Sequence, residues 1–208
     1  MTVEERLAEG LAAMGVKLDA GGQARLIAYL RLIEKWNRVH NLTAVREPGR
    51  MVVLHLLDSL SVLPHVERAK TLVDVGTGAG LPGIPLAIAR PDLAVTLLDA
   101  SHKKASFLRQ AKAELSLANA DVACERVEAW RPESTFDVVV SRAFAELADF
   151  VDQAKHLAAP GGAMLAMKGV HPFEEIARVP SSHRVENVVE LRVPSLDAQR
   201  HLVLLKAA

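Results

Sequence analysis

Short apolar runs that alternate with helical stretches from residue 71 onward constrain the fold of this chain most. The runs are TLVDV, LAVTLLD, DVACERV, FDVVVSRA, GGAMLAMKG, HRVENVVELRV and HLVLLK. Strands that are apolar on both faces and separated by helices indicate a parallel sheet covered on both sides. Because no helix of any length separates the last two runs, we expect an α/β fold with a mostly parallel seven-stranded sheet, an antiparallel hairpin and an antiparallel C-terminal edge strand.

The first seventy residues have helical periodicity and no run typical of a strand. Leu26, Tyr29, Leu30 and Ile33 recur at spacings of three and four, which predicts a long amphipathic helix that starts after Gly21-Gly22. A second helix is predicted after the Pro48-Gly49 break, and the polar loop VHNLTAVREPG lies between the two. The sequence therefore predicts an N-terminal helical cap over residues 1–70 and a sheet domain over residues 71–208, together forming one compact unit.

Composition excludes some classes of protein and leaves others open. Half of the 208 residues are hydrophobic, which suffices for a core, and 25 basic side chains balance 25 acidic ones, so bulk charge does not indicate a nucleic-acid binder. Cys124 is the only cysteine, which excludes an internal disulfide. Neither a signal-peptide pattern nor an apolar run of about eighteen residues is present, so we expect a cytoplasmic protein without membrane association. The sequence does not give the oligomeric state, and we expect a monomer.

Basic residues are nevertheless concentrated in two places. Between residues 25 and 70 eight basic side chains outnumber four acidic ones, and no acidic residue interrupts the cluster of Lys103, Lys104, Arg109 and Lys112. Either cluster can contact phosphates or form a solvated helix face, and the sequence does not decide between the two.

A glycine-rich loop follows the first strand, where open parallel sheets commonly bind ligands. It runs Gly76-Thr77-Gly78-Ala79-Gly80-Leu81-Pro82-Gly83. The dinucleotide fingerprint G-x-G-x-x-G requires glycine where Leu81 stands, and the sequence has D-x-G-x-G-x-G from Asp74 to Gly80 instead. Pro82 and Pro85 also remove two amide donors from the place where a pyrophosphate binds.

Two aspartates at strand ends indicate the ligand. Asp74 suits a cationic group such as an ammonium, and Asp99, at the end of the second strand, stands where a carboxylate accepts from both ribose hydroxyls. A ribose with a cationic amino-acid tail describes S-adenosylmethionine. Each aspartate also has a local alternative, since Asp74 can cap the following turn and Asp99 can be the N-cap of the next helix. The candidate cofactor-binding residues at this stage are Asp74, Gly76, Thr77, Gly78, Gly80 and Asp99.

Later strand ends add further candidates. A side chain of Val127-Glu128, after the third strand, can flank the adenine, although Glu128 is equally plausible as a solvated carboxylate. Arg142 and Lys168 end the fourth and fifth strands, so we expect both side chains to point into the crevice.

Over nearly its whole length the chain resembles the bacterial glucose-inhibited division protein B family of ribosomal RNA (guanine-N7) methyltransferases. The matching stretches are KWNRVHNLTAV, HLLDSL, LVDVGTGAGLPGIPLAIARP, LLDASHKKASFL, RVEAW, FDVVVSRAFAEL and MLAMKG. The glycine motif alone indicates a class I methyltransferase, whereas HNLTA, DSL and SRAFA are typical of this one family. One departure is Leu54 before His55, where the family often has a basic residue.

The resemblance implies a class I Rossmann-like domain that transfers methyl from S-adenosylmethionine to N7 of a guanosine in the 530 loop of 16S ribosomal RNA. The partner is then 16S rRNA, within the 30S subunit or an assembly intermediate. The resemblance also implies cofactor contacts from Gly76, Leu81, Val127 with Glu128, and Arg142.

Guanine N7 carries an in-plane lone pair and no proton, so it can attack a sulfonium methyl without a general base. Catalysis is then expected from orientation, with Arg142 positioning the reactants. Phe144 is the best-placed stacking residue, and Trp36 is expected to pack the cap onto the sheet domain. The residues expected on the substrate side are His40, Asn41, Arg46, Lys103, Arg142 and Lys168.

Three alternatives remain open from the sequence. A small-molecule methyltransferase shares every cofactor residue, and a nicotinamide-dependent oxidoreductase uses a similar fold. The third is an RNA-binding module without catalysis.

Overall fold

Helices form the N-terminal part of the chain, as predicted. The computed structural model describes residues 1–142, 144 and 146–208, so Ala143 and Ala145 of the SRAFA stretch lie outside the described residues. The helical segments are α1 (Val3–Ala13), α2 (Ala20–His40), α3 (Pro48–Met51), a π-helical segment (Val52–Leu57), α4 (Asp58–Leu60) and a 3-10 turn (Leu63–His65). Within the described residues, no helix is both long and apolar enough to cross a membrane.

Helices α2 and α3 begin earlier than we predicted from Gly21-Gly22 and Pro48-Gly49. Asp19 caps α2 by accepting from the Gly22 N–H at 2.6 Å, so Gly21 and Gly22 lie inside the first turn. Glu47 likewise accepts from the amides of Gly49 and Arg50 and starts α3 with Pro48 at its first position. Proline is tolerated there because the first amide of a helix has no intrahelical acceptor. The breaks expected before both helices are therefore part of them.

A seven-stranded sheet follows, with the order β3-β2-β1-β4-β5-β7-β6. Its strands are β1 (Thr71–Val75), β2 (Ala94–Leu98), β3 (Ala120–Ala123), β4 (Phe136–Arg142), β5 (Ala158–Lys168), β6 (His183–Glu190) and β7 (His201–Ala207). Strands β1 to β5 are parallel, and β7 is antiparallel to both β5 and β6. The predicted α/β sheet and its antiparallel C-terminal hairpin are confirmed. Within the hairpin β7 lies inside, and β6 forms the edge.

Helices cover both faces of the sheet. They are α5 (Gly83–Ala89), α6 (His102–Glu114), α7 (Leu147–Ala154) and α8 (Phe173–Ile176), with a 3-10 turn at Lys155–Leu157. One hydrophobic core contains residues of the cap together with residues of the sheet and α6, and a second core lies beneath α7. Trp36 of α2 packs edge-on against Phe107 of α6, with ring centroids 5.5 Å apart. Trp36 therefore joins the cap to the sheet domain, as predicted.

Strand order reverses at β1, which lies between β2 and β4. After β1, the chain adds β2 and then β3 on one side of β1. It then crosses to the other side of β1 and adds β4 and β5 there. A crevice forms at the carboxyl ends of strands at such a reversal. The candidate site is therefore expected beyond Val75, Leu98 and Arg142, the residues that end β1, β2 and β4.

Candidate active site

The glycine loop after β1 satisfies most of its own amides. The N–H groups of Gly76 and Thr77 donate to the Leu98 carbonyl at 2.9 and 3.1 Å, and those of Gly80 and Leu81 donate to the Thr77 carbonyl. Gly80 has φ +92, and a Cβ there would meet the side chains of Ile84 and Leu108. These amides are already bonded, and Pro82 and Pro85 have none, so the loop offers little to a pyrophosphate.

Asp74 lies beneath this loop and holds its two ends together. The carboxylate is fully buried, and its Oδ2 accepts from Thr77 Oγ1 at 2.5 Å and from the Gly83 N–H at 2.7 Å. Burial raises the pKa of Asp74 to about 6. Its Oδ1 is buried without a hydrogen-bond partner among the described residues. The geometry thus shows the turn-capping role, and a contact between Asp74 and a cofactor ammonium stays a prediction.

Tyr29 links the cap to the glycine loop. Its side chain is fully buried, and its hydroxyl donates to the Ala79 carbonyl at 2.5 Å across fifty positions of sequence. Burial holds the pKa of Tyr29 well above its usual value, so the hydroxyl stays a donor. Periodicity places Tyr29 on the buried face of α2, but no signal in the sequence indicates its partner. Tyr29 is therefore a supporting residue that sequence reasoning missed.

Asp99 is held at the end of β2 by three donors. Its Oδ2 accepts from the Gly78 N–H at 2.9 Å and from Lys104 Nζ at 3.3 Å, and its Oδ1 accepts from the Ser101 N–H at 2.9 Å. The N-cap of α6 is Ser101, so the alternative that Asp99 caps this helix is wrong. Asp99 is only 6% exposed, and its position is fixed before any ligand arrives.

A cavity of about 200 Å³ lies beyond the ends of β1 and β2. It brings together four of the residues that the sequence predicted for the cofactor, namely Gly76, Asp99, Val127 and Glu128. Its lining is Val75, Gly76, Leu98, Asp99, Ala100, Glu125, Arg126, Val127, Glu128 and Phe144. Of the other predicted cofactor residues, Thr77, Gly80 and Leu81 are buried in the loop and support it.

A larger cleft of about 630 Å³ adjoins this cavity. Its lining is Asp58, Arg142, Phe144, Met167, Lys168, Gly169, Val170, Glu175 and Arg200. Phe144 lines both cavities, so the two share one wall. The predicted Arg142 and Lys168 both lie in the larger cleft, whereas Arg142 does not line the smaller one. A group held in the larger cleft can therefore approach a ligand in the smaller one.

Asp58 organises the floor of the larger cleft. Its side chain is 3% exposed, its Oδ2 lies 3.2 Å from Arg142 Nη1, and its Oδ1 lies 2.9 Å from Arg200 Nε. Arg142 also donates to the Leu54 carbonyl at 2.9 Å, within the π-helical segment of the cap. Two guanidinium groups around one carboxylate leave one net positive charge here. The sequence offered DSL as a family signature, but neither Asp58 nor Arg200 was recognised as a site residue.

Lys168 and Glu175 also line the larger cleft and form an ion pair there. The Lys168 ammonium lies 2.7 Å from Glu175 Oε2 and 3.4 Å from the Phe144 carbonyl. Glu175 Oε2 also accepts from the Leu147 N–H at 2.9 Å, which ties α8 to the start of α7. The Glu175 carboxylate offsets the charge of Lys168 and fixes the position of its ammonium group. Lys168 therefore contributes a hydrogen-bond donor in a fixed position.

The other residues predicted for the substrate side lie on the cap and on α6, outside the linings of both cavities. His40 stacks at a tilt on Trp36, and Arg46 donates to Asn41 Oδ1 at 3.1 Å. Lys103 is exposed on α6. Contacts of these residues with RNA stay predictions.

His55 lies behind the cleft, next to the Asp58 pair. Its Nε2 is 3.0 Å from Thr43 Oγ1, and the side chain is 4% exposed. Burial, together with a smaller contribution from the nearby Arg142 guanidinium, lowers the pKa of His55 to about 4, so His55 is neutral at physiological pH.

The sequence matches the family model of rRNA small subunit methyltransferase G over residues 22–203. The chain belongs to this family. A methyltransferase G of Laribacter hongkongensis is 55% identical over 205 residues, which cover 99% of each chain. One of Aromatoleum aromaticum is 57% identical over 204 residues, which cover 96% of this chain and 97% of the relative. The resemblance predicted from HNLTA, DSL and SRAFA is confirmed.

Solved structures with a similar fold are methyltransferases of diverse substrates. Mitomycin 7-O-methyltransferase superimposes with a TM-score of 0.63 at 17% sequence identity. The alignment covers 84% of this chain and 60% of that methyltransferase. Ribosomal protein L11 methylase from Lactobacillus delbrueckii subsp. bulgaricus has a TM-score of 0.56 at 18% identity, with coverages of 73% and 76%. These likenesses confirm the class I methyltransferase fold and show the fold alone. Family and fold together favour methyl transfer over the nicotinamide alternative.

Proposed function

We propose that this protein transfers the methyl group of S-adenosylmethionine to N7 of a guanosine in the 530 loop of 16S rRNA. The observation that carries the proposal is the pair of adjoining cavities that share Phe144, one with the glycine loop and Asp99, the other with the Asp58 pair. Membership of a family named for small-subunit rRNA supports the RNA substrate. We also propose that the protein acts as a cytoplasmic monomer on the 30S subunit or an assembly intermediate.

The smaller cavity has the features that an adenosyl group requires. Nothing lies within 4 Å of the place where a Cβ of Gly76 would stand, so the backbone leaves room at the cavity wall. A carboxylate has about four lone-pair positions, and the three donors to Asp99 leave capacity for a ribose hydroxyl. Val127 and Glu128 line the same cavity, which supports their proposed contact with the adenine. When bound there, S-adenosylmethionine supplies an electrophilic methyl carbon.

In the larger cleft the residues orient and stabilise the base. The Phe144 ring packs against Phe150 with centroids 5.5 Å apart, which fixes the shared wall. Arg142, held by Asp58 and by the Leu54 carbonyl, is the positioning residue. The Asp58 and Glu175 carboxylates are paired with Arg142, Arg200 and Lys168, so their role in the cleft is to hold those donors in place. No side chain needs to remove a proton, because N7 carries none.

The predicted RNA contacts His40, Asn41, Arg46 and Lys103 lie on surfaces away from the two cavities. We propose that they bind phosphates of the RNA around the target, which is the usual source of affinity for nucleic acid. A small-molecule methyltransferase is the second candidate. The family name argues against it, because the curated relatives are called ribosomal RNA methyltransferases.

One experiment tests the proposal. The purified protein is incubated with tritiated S-adenosylmethionine and, in parallel, with 30S subunits from cells that lack it, deproteinised 16S rRNA, and free guanosine. We expect label in the subunit or the rRNA and, after chemical cleavage at N7-methylguanosine, a single site in the 530 loop. Label only in the free nucleoside, or at another atom or loop, would contradict the proposal.

A further inference from the structure

Two exposed apolar side chains, Val170 and Phe173, follow β5 on the segment that borders the larger cleft. Val170 is 72% exposed and lines the cleft, and Phe173 is 74% exposed. Among the described residues only two other large hydrophobic side chains, Met1 and Val39, are exposed. An exposed phenylalanine does not gain the free energy that burial of its ring would provide. Exposed apolar side chains beside a cleft therefore indicate a binding surface.

The Phe173 ring is supported from one side and open on the other. It stacks on His171 with centroids 3.8 Å apart and planes inclined by 29°, and His171 packs edge-on against His201 at 5.4 Å. His201 Nδ1 lies 2.9 Å from the Gly169 carbonyl, so this layer of rings is attached to the end of β5. The ion pair between Glu175 and Lys168 fixes the following helix α8. Phe173 thus presents an exposed aromatic face, supported by His171, on the chain segment between Val170 and Glu175, which both line the cleft.

We propose that Phe173, backed by His171, is a stacking platform for a nucleobase next to the target nucleotide in the RNA. A target base must leave its stack to enter the cleft, which exposes the face of its neighbour. Aromatic side chains stack on such faces regardless of the base identity. The net positive charge of Asp58 with Arg142 and Arg200 suits the phosphate that links the two nucleotides. This proposal rests on the proposed function to the extent that the substrate is RNA. It does not depend on methylation at guanine N7.

A set of three variants at Phe173 tests the platform. Phe173→Leu keeps an apolar side chain and removes the aromatic face, while Phe173→Tyr and Phe173→Trp keep that face. A stacked base contributes roughly 1 to 3 kcal/mol, so we expect Phe173→Leu to raise KM for 30S subunits by roughly 5- to 150-fold. The tyrosine and tryptophan variants should stay within about twofold of the parent, and KM for S-adenosylmethionine should not change. The proposal would be overturned if Phe173→Leu left KM for 30S subunits unchanged, or if all three variants raised it equally.

The class of partner is tested separately, because a ribosomal protein could also cover an aromatic ring. p-Benzoylphenylalanine placed at position 173 is irradiated in the presence of 30S subunits, and the cross-linked partner is analysed by nuclease and protease digestion. We expect a cross-link to RNA in the methylated loop, and a cross-link to protein alone would overturn the assignment. Wild-type protein that labels no ribosomal RNA would contradict the proposed function itself, so the two failures are distinguishable.

Discussion

Asp58 Oδ2 lies 3.2 Å from Arg142 Nη1, which joins helix α4 of the cap to the carboxyl end of β4. The other oxygen of the same carboxylate binds Arg200, which immediately precedes β7. Three segments that are far apart in sequence therefore meet at one buried charge. The larger cleft can form only when the cap, the central sheet and the C-terminal hairpin are docked together.

We predict that Asp58→Asn lowers the free energy of unfolding by about 3 kcal/mol, because it leaves two guanidinium groups without their buried counter-charge. Methyl transfer should also fall, since Arg142 loses its orientation. Urea unfolding and steady-state kinetics measure both. Asp92→Asn is the control: Asp92 pairs with Arg90 at 2.7 Å but is about half exposed, so its loss should lower the free energy of unfolding much less than Asp58→Asn does. Equal effects of the two substitutions would contradict the role of Asp58.

Tyr29→Phe should lower the free energy of unfolding by about 1 to 2 kcal/mol, because the buried Ala79 carbonyl loses its donor. The glycine loop also becomes less constrained, so we expect Kd for S-adenosylmethionine to rise by a few fold while KM for RNA stays constant. Urea unfolding and calorimetric titration test this pair of effects. A stability loss without any change in Kd would show that the cap does not constrain the cofactor loop.

Asp99→Asn should raise Kd for S-adenosylmethionine by roughly 10- to 100-fold, because a charged acceptor for the ribose hydroxyls is replaced by a neutral amide. Lys104→Met is the matched control, since it removes the 3.3 Å ion pair and leaves the carboxylate in place. We expect the control to bind the cofactor within a few fold of the parent. Equal losses of affinity in calorimetry would assign the effect to the ion pair and not to the ribose.

His55 should make stability depend on pH. Its pKa in the folded protein is about 4, below the value of 6.5 for an unperturbed histidine, so the unfolded chain binds a proton first as the pH falls. Stability provided by the neutral ring is present above pH 6.5 and is lost towards pH 4, by up to roughly 3 kcal/mol. Buried Asp74, with its raised pKa, has the opposite dependence.

The two contributions are separated by His55→Gln, which cannot titrate and leaves Asp74 unchanged. Urea unfolding of both proteins from pH 7 to pH 4 should show the stability advantage of the parent shrinking as the pH falls. Parallel curves would mean that His55 accepts its proton in the folded state as readily as in the unfolded state.

Local spacing predicted much of the smaller cavity and little of the larger cleft. Gly76 and Asp99 were found because strand ends and a glycine loop fix their positions within a few residues of sequence. Asp58 and Arg200 are separated by 142 positions, and no periodicity encodes that contact. A charged residue within the apolar run VVLHLLDSL was the available signal, because a buried charge requires a partner. Spacing alone did not identify that partner.

The position of β7 has a consequence for the order in which the protein assembles. β6 is translated before β7, yet β7 occupies the place between β5 and β6. Until β7 arrives, β5 has an open edge and β6 has no neighbour in the sheet. Arg200, immediately before β7, reaches Asp58 only when this gap is filled. The larger cleft is thus completed only when β7 is in place, after every residue that lines the smaller cavity has been synthesised.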